Sequence, residues 1–132
     1  VQTGKITYIY IRNKKSVVMV IKHMKDVSYE DMSAFKGIRK QILIGPKDGS
    51  NEIVMRYFSV EPGGNTPYHT HGFPHVVKVE KGKGAVIDKD GKEHPLACGQ
   101  VIYVGDNEIH CFKNTGRETF DFICIVPPRG EK

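Results

Sequence analysis

Residues 69–80 read His69-Thr70-His71-Gly72-Phe73-Pro74-His75-Val76-Val77-Lys78-Val79-Glu80, and the second half of this stretch alternates in the manner of a β-strand. Successive side chains of a strand point to opposite faces. Lys78 and Glu80 belong in water, so His75, Val77 and Val79 take the other, buried face. Working outward, strand-like runs are expected at 40–44, 52–60, 85–88, 100–104, 111–113 and 119–126, separated by clusters of Gly, Pro, Asn and Asp. Asp90-Gly91 is a hairpin turn signal. Seven or more short strands at close spacing predict an all-β antiparallel sandwich or barrel.

Towards the N-terminus, Ile6, Tyr8, Ile9, Tyr10 and Ile11 precede a break at Asn13-Lys14-Lys15, and Val17–Ile21 resumes the strand pattern, which predicts a hairpin. Ser28, with Asp31 three residues later, predicts one helical turn within 26–35 before Gly37. Gly82-Lys83-Gly84 reads as a turn between strands, too short to cradle a phosphate.

With 132 residues and 39% hydrophobic residues, the chain predicts one soluble domain with its own core. Val17–Ile21 is far shorter than a membrane span, and no small-residue cleavage site follows it. A membrane partner and a secretory leader are therefore not expected, and a cytoplasmic location is. The net charge of +5 is unevenly spread: residues 1–40 hold nine Lys or Arg against three Asp or Glu, and residues 41–132 hold eleven against twelve. The basic excess belongs to the N-terminal segment, which carries no zinc-finger, helix-turn-helix or RNA-binding signature, so no nucleic-acid partner is expected. Cys98, Cys111 and Cys124 are odd in number with no C-x-x-C spacing, which predicts buried, reduced thiols.

Three of the six histidines fall within seven positions. His69 and His71 share one face of an extended segment, while Gly72 and Pro74 let the chain turn and return His75 to it. The same parity applied to 110–114 sends Lys113 outward and His110, Phe112 and Asn114 inward. Four imidazoles thus face one interior. Without an ion, each would cost roughly 1–3 kcal/mol if left unsatisfied in an apolar cavity; a shared divalent metal removes that cost. His23 and His94 are expected to be surface residues or satisfied core groups.

Two spaced motifs in this chain resemble those of the cupins. Gly63, His69, His71 and Gly82 occupy fixed positions of G-x5-H-x-H-x3,4-E-x6-G, with His75 where the motif has Glu. Gly99, His110 and Asn114 match G-x5-P-x-G-x2-H-x3-N, with Gly105 in place of Pro and Asn107 in place of Gly. The resemblance covers about residues 37–132 and implies a double-stranded β-helix, or jelly-roll barrel, over 37–132 behind a basic hairpin extension at 1–36. It also implies one divalent metal per chain on His69, His71, His75 and His110. Exchanging Glu for His leaves the site one unit more positive, which favours anionic ligands such as a chelating small carboxylate.

An all-histidine cupin of this size is similar to proteins of oxalate decarboxylase-like type, which implies oxalate or a similar carboxylate as the small-molecule partner. A quercetinase-type dioxygenase and a non-catalytic metal- or carboxylate-binding protein are the alternatives. A hard carboxylate ligand and an octahedral shell suggest Mn, whereas an all-nitrogen donor set also suits Fe, Ni, Cu or Zn. A zinc closed by four histidines would be structural. The family's two-domain decarboxylases carry Arg where this chain has Thr66, and no catalytic proton donor is identified. Arg56 shares parity with Phe58 and Val60 and reaches the cavity or forms a salt bridge in the barrel wall. Phe112 follows His110 inward, and Phe122 with Cys124 complete the expected pocket, unless Ile123 and Ile125 face in instead. Small cupins resemble one another in dimerising, and residues 6–21 are expected to add to a sheet edge, giving a homodimer.

Overall fold

The computed structural model describes residues 6–10, 17–32, 35, 37–68 and 70–131, with the side chains of residues 17 and 31 outside the description. Its strands are β1 (Thr7–Tyr10), β2 (Val17–Ile21), β3 (Glu30–Asp31), β4 (Ile38–Ile44), β5 (Val54–Val60), β6 (His75–Lys81), β7 (Lys83–Ile87), β8 (Glu93–Ala97), β9 (Val101–Val104), β10 (Cys111–Asn114) and β11 (Phe120–Val126). A six-stranded sheet runs in the order β3-β4-β5-β11-β6-β9, a three-stranded sheet in the order β10-β7-β8, and among the described residues β1 pairs with β2 alone. All ladders are antiparallel. The core includes Phe58, Val77, Val79, Phe112, Phe120 and Phe122, contributed by both larger sheets. Phe58 and Phe122 stack with ring centroids 5.3 Å apart.

Alternation sorts the large sheet into two faces. Lys40 pairs with Phe58 and Ile42 with Arg56 across β4 and β5; Phe58 pairs with Phe122 and Arg56 with Cys124 across β5 and β11; Cys124 then pairs with Val77 on β6. Directly opposite residues share a face, so Lys40, Arg56, Phe58, Phe122, Cys124, Val77 and His75 all belong to the inner one. The outer face of the same strands carries Gln41, Tyr57, Ser59 and Asp121, all buried. Gln41 Nε2 donates to the carbonyls of Met24 and Val27, tying the preceding segment over this face.

Glycine and asparagine set the turns that return the strands. Gly82 has φ +79 between β6 and β7, where an added Cβ would meet the Thr119 carbonyl oxygen at 2.3 Å. Asn107, which stands where the second motif has Gly, adopts φ 64, a left-handed conformation that asparagine tolerates better than most residues.

Three expectations are corrected. The helical turn is not capped by Ser28: a short 3-10 turn lies at Met24–Asp26, where His23 Nδ1 accepts from the Lys25 N–H at 3.1 Å, and Glu30–Asp31 is a strand. Pairing Glu30 and Asp31 with Lys40 and Arg39 satisfies those backbones in the sheet instead. Cys98 is exposed, because it follows the edge strand β8 at a turn, whereas Cys111 and Cys124 are buried and all three are free. The expected hairpin at Asp90-Gly91 is present, but it joins β7 to β8, a strand not expected because Glu93, His94 and Pro95 conceal it; Pro95 is accommodated because β8 is an edge.

Candidate metal centre

Three elements deliver the histidines. His75 opens β6 and His110 immediately precedes β10, on opposite sheets, and both are buried. His71 lies in the connection between β5 and β6, which is fastened at its far side by a 2.7 Å hydrogen bond from the Asn107 N–H to the His71 carbonyl. The ring of His71 stacks on Phe73 at 4.6 Å and meets His75 edge-on at 4.9 Å; His75 and His110 are 5.1 Å apart. One ligand atom from each of His71, His75 and His110 lies within 4.8 Å of the others. Donors about 2.0–2.1 Å from one ion stand about 3–4 Å from each other, so small ring rotations suffice for all three to share it. His69 lies outside the described residues.

Hydrogen bonding orients the rings. His110 Nδ1 is 2.9 Å from the Glu108 carbonyl oxygen. A carbonyl only accepts, so Nδ1 carries the hydrogen and Nε2 keeps its lone pair for an ion. His75 Nδ1 is 3.4 Å from Cys124 Sγ, which also accepts from Arg56 Nη2 at 3.0 Å. Burial pushes the Cys124 thiol up, against the opposing pull of Arg56. Three imidazoles, two of them oriented by these contacts, fit a borderline divalent metal.

The rings open onto a cavity of about 200 Å³ that Arg56, Phe112, Phe122 and Cys124 also line. Phe122 and Cys124 are buried on the inner face of β11, while Ile123 and Ile125 are half-buried on the other. Arg56 unites both readings of its position: it lines the cavity, it lies 3.6 Å from Glu131, and its guanidinium sits 4.9 Å above the Phe58 ring. Thr66 lines the cavity too, and its Oγ1 accepts from the Phe112 N–H at 2.8 Å, anchoring the approach to the His71 segment on β10. Asn114 is buried and acts as a clamp, donating to the carbonyls of Val60 and Glu118.

Lys40 and Glu131 were missed by sequence reasoning, yet both line this cavity. The inward parity of Ile38 and Ile42 on β4 carries a signal for Lys40. Glu131 arrives from a terminal 3-10 turn, Pro128–Glu131, for which periodicity offers none. His23 and His94 are exposed and stand apart from the cluster, His94 paired with Asp88 at 2.8 Å.

The chain belongs to the cupin family: the Cupin domain profile matches residues 56–126, more than half of its length. Among curated relatives, auxin-binding protein 1 of Arabidopsis thaliana is 31% identical over 90 residues, covering 61% of this chain and 46% of the relative. A 1-methylthio-D-xylulose 5-phosphate methylsulfurylase of Rhodospirillum rubrum is 26% identical over 104 residues, covering 78% of this chain and 64% of the relative. An oxalate-binding protein of Thermotoga maritima is 29% identical over 66 residues, covering 49% and 54%. The matched part thus spans about half to two thirds of the length of these relatives. In three dimensions the chain is similar to the polyketide cyclase RemF of Streptomyces resistomycificus, with 28% identity and a TM-score of 0.76, covering 80% of this chain and 77% of that one. Relatives of this family thus include both binding proteins and enzymes. Among the described residues no helix is long and apolar enough to cross a membrane.

Proposed function

We propose that this cupin holds one divalent metal, Mn in the first instance, on His71, His75 and His110 together with His69, and acts on a small carboxylate there in the manner of an oxalate decarboxylase-like enzyme. The observation that carries this reading is the convergence of three imidazoles on a small cavity whose wall also bears Lys40 and Arg56. When bound, the ion supplies positive charge and open coordination positions for a carboxylate. The chain's own residues do the rest. Cys124 and the Glu108 carbonyl hold two imidazole rings in register. Phe58, Phe112 and Phe122 exclude water from the cavity, and in that low-dielectric setting the cations of its wall attract an anion strongly.

The cavity volume favours a small ligand, since pockets for drug-sized molecules run to about 300–1,000 Å³. Its aromatic collar keeps a quercetinase-type dioxygenase as the second reading. Incubating the metal-loaded protein with oxalate and measuring formate and carbon dioxide tests the first. Stoichiometric oxygen uptake with an enolic substrate would select the second, and metal-dependent binding of oxalate without turnover would select a carboxylate-binding protein.

The same proposal includes assembly as a homodimer. The β1–β2 hairpin leaves Tyr8, Ile9, Tyr10, Val18, Met19 and Ile21 exposed, and Val76, Val101 and Tyr103 form an apolar outer face on β6 and β9. Isolated two-stranded ribbons are marginal in water, and a second copy offers the surface this hairpin lacks. Light scattering should give twice the chain mass for the full chain, and a smaller value once residues 1–21 are removed; a monomeric full chain overturns the assembly.

A further inference from the structure

Beside the histidines, the cavity wall holds three charges outside the imidazole cluster. Glu131 Oε2 accepts from Lys40 Nζ at 2.6 Å, and Glu131 Oε1 lies 3.6 Å from Arg56 Nη1. Their side chains are only 16%, 11% and 9% exposed for Lys40, Glu131 and Arg56 respectively. Two cations face one anion, so a positive charge is left over in a largely dry cavity, where an anion is attracted far more strongly than in water.

The three groups are not equally fixed. Lys40 and Arg56 project from β4 and β5, two paired strands inside the six-stranded sheet. Glu131 is carried by the 3-10 turn Pro128–Glu131, which the Gly130 N–H closes onto the Pro127 carbonyl at 2.8 Å. The pairing is also incomplete. Arg56 Nε is buried with no hydrogen-bond partner among the described residues, and Glu131 Oε1 has none beyond its long ion pair. A carboxylate free to settle against the guanidinium would accept from its N–H groups, Arg56 Nε among them, at hydrogen-bonding distance.

We propose that Lys40 and Arg56 form a second carboxylate subsite of which Glu131 is the built-in, displaceable occupant. This rests on the reading of the histidine cluster as a metal-bound carboxylate site, and it names the substrate class as aliphatic dicarboxylates long enough to reach from the ion to Arg56. Cys124 Sγ bridges His75 Nδ1 and Arg56 Nη2, so the two poles are separated by several ångströms. A dicarboxylate of about four carbons, rather than oxalate, is therefore the proposed ligand that would span them. Glu131 then acts as a competitor that a monocarboxylate never needs to remove.

Calorimetric titration of the Mn-loaded protein and the metal-free protein with acetate, oxalate and succinate tests this, using the wild type, Glu131→Gln and Lys40→Met. Succinate should bind more tightly than acetate. Glu131→Gln should raise the succinate-to-acetate affinity ratio about tenfold, and Lys40→Met should lower it by a similar factor. Glu131→Gln lies in the 3-10 turn Pro128–Glu131, outside the sheets, and keeps the test open should Lys40→Met fold poorly. Metal-dependent acetate and oxalate binding with a ratio near one, unmoved by Glu131→Gln, overturns the second subsite and leaves the metal reading standing. Succinate binding that responds to Glu131→Gln but not to the metal supports the subsite and overturns the metal reading. Absence of binding by all three acids overturns both.

Discussion

Cys124 Sγ stands 3.4 Å from Nδ1 of His75, and the contact follows from register, since Cys124 pairs with Val77, two residues along the same face of β6. For Nε2 of His75 to offer its lone pair to an ion, Nδ1 must carry the hydrogen and donate it to sulfur. Groups that orient a ligating imidazole typically contribute about 10–100-fold in metal affinity. Cys124→Ala should therefore weaken metal binding at least about tenfold, measured by competition against a chromogenic chelator, with the thermal transition of the metal-free protein shifted only by the loss of a small buried side chain.

His110 and His94 provide a matched pair. One is buried beside His71 and His75; the other is exposed and paired with Asp88. His110→Ala should abolish stoichiometric metal retention after dialysis, and His94→Ala should leave it intact, both read by elemental analysis. Equal retention in the two variants would mean that the ion, if any, sits elsewhere.

A buried network on the outer face of the large sheet governs stability at high pH. Tyr57 Oη donates to Asp121 at 2.8 Å and Ser59 Oγ donates to the same carboxylate at 2.7 Å. Burial, reinforced by the bond to Asp121, raises the Tyr57 phenol well above its ordinary value. The folded state thus holds that proton more tightly than the unfolded chain does. Its contribution is complete below the unfolded value of about 10 and is lost as pH climbs towards the folded one. Denaturant midpoints should fall above pH 10 in the wild type and fall less in Tyr57→Phe. Asp121→Ala, which strands two buried hydroxyl donors, should cost about 3 kcal/mol at neutral pH.

Gly82 tests the turn between β6 and β7. A Cβ there would meet the Thr119 carbonyl oxygen at 2.3 Å while the backbone holds φ +79. Gly82→Ala should destabilise by about 3 kcal/mol through strain and overlap together. Gly91→Ala, at φ +80 but with open space around its Cβ position, should cost less.

Alternation made most of this architecture legible, because polar residues such as Lys78 and Lys113 fix the inward parity of His75, Val77, His110 and Phe112. It failed where a strand sits at an edge and needs no apolar face, as in Glu93–Ala97. The helical signal at Ser28 lost to sheet pairing, and His23, a residue not favoured at such positions, capped the turn instead. At the site, strand parity carries His75, His110 and Phe112, whereas 120–126 is apolar on both parities except at Asp121, so parity alone does not choose Phe122 and Cys124 over Ile123 and Ile125. Lys40 was obscured by its charge and by its polar neighbours Arg39 and Gln41, so that it reads as solvated until its cross-strand partner, Phe58, is known. Glu131 reaches the cavity by the path of the terminal turn, which no period encodes.

The most direct measurement is an anomalous difference map from crystals of the protein grown with Mn(II), collected on both sides of the metal absorption edge. The account predicts one strong peak per chain, about 2 Å from a ring nitrogen of each of His71, His75 and His110. A map with no peak inside that triangle, or with the ion held by exposed carboxylates elsewhere, would contradict it.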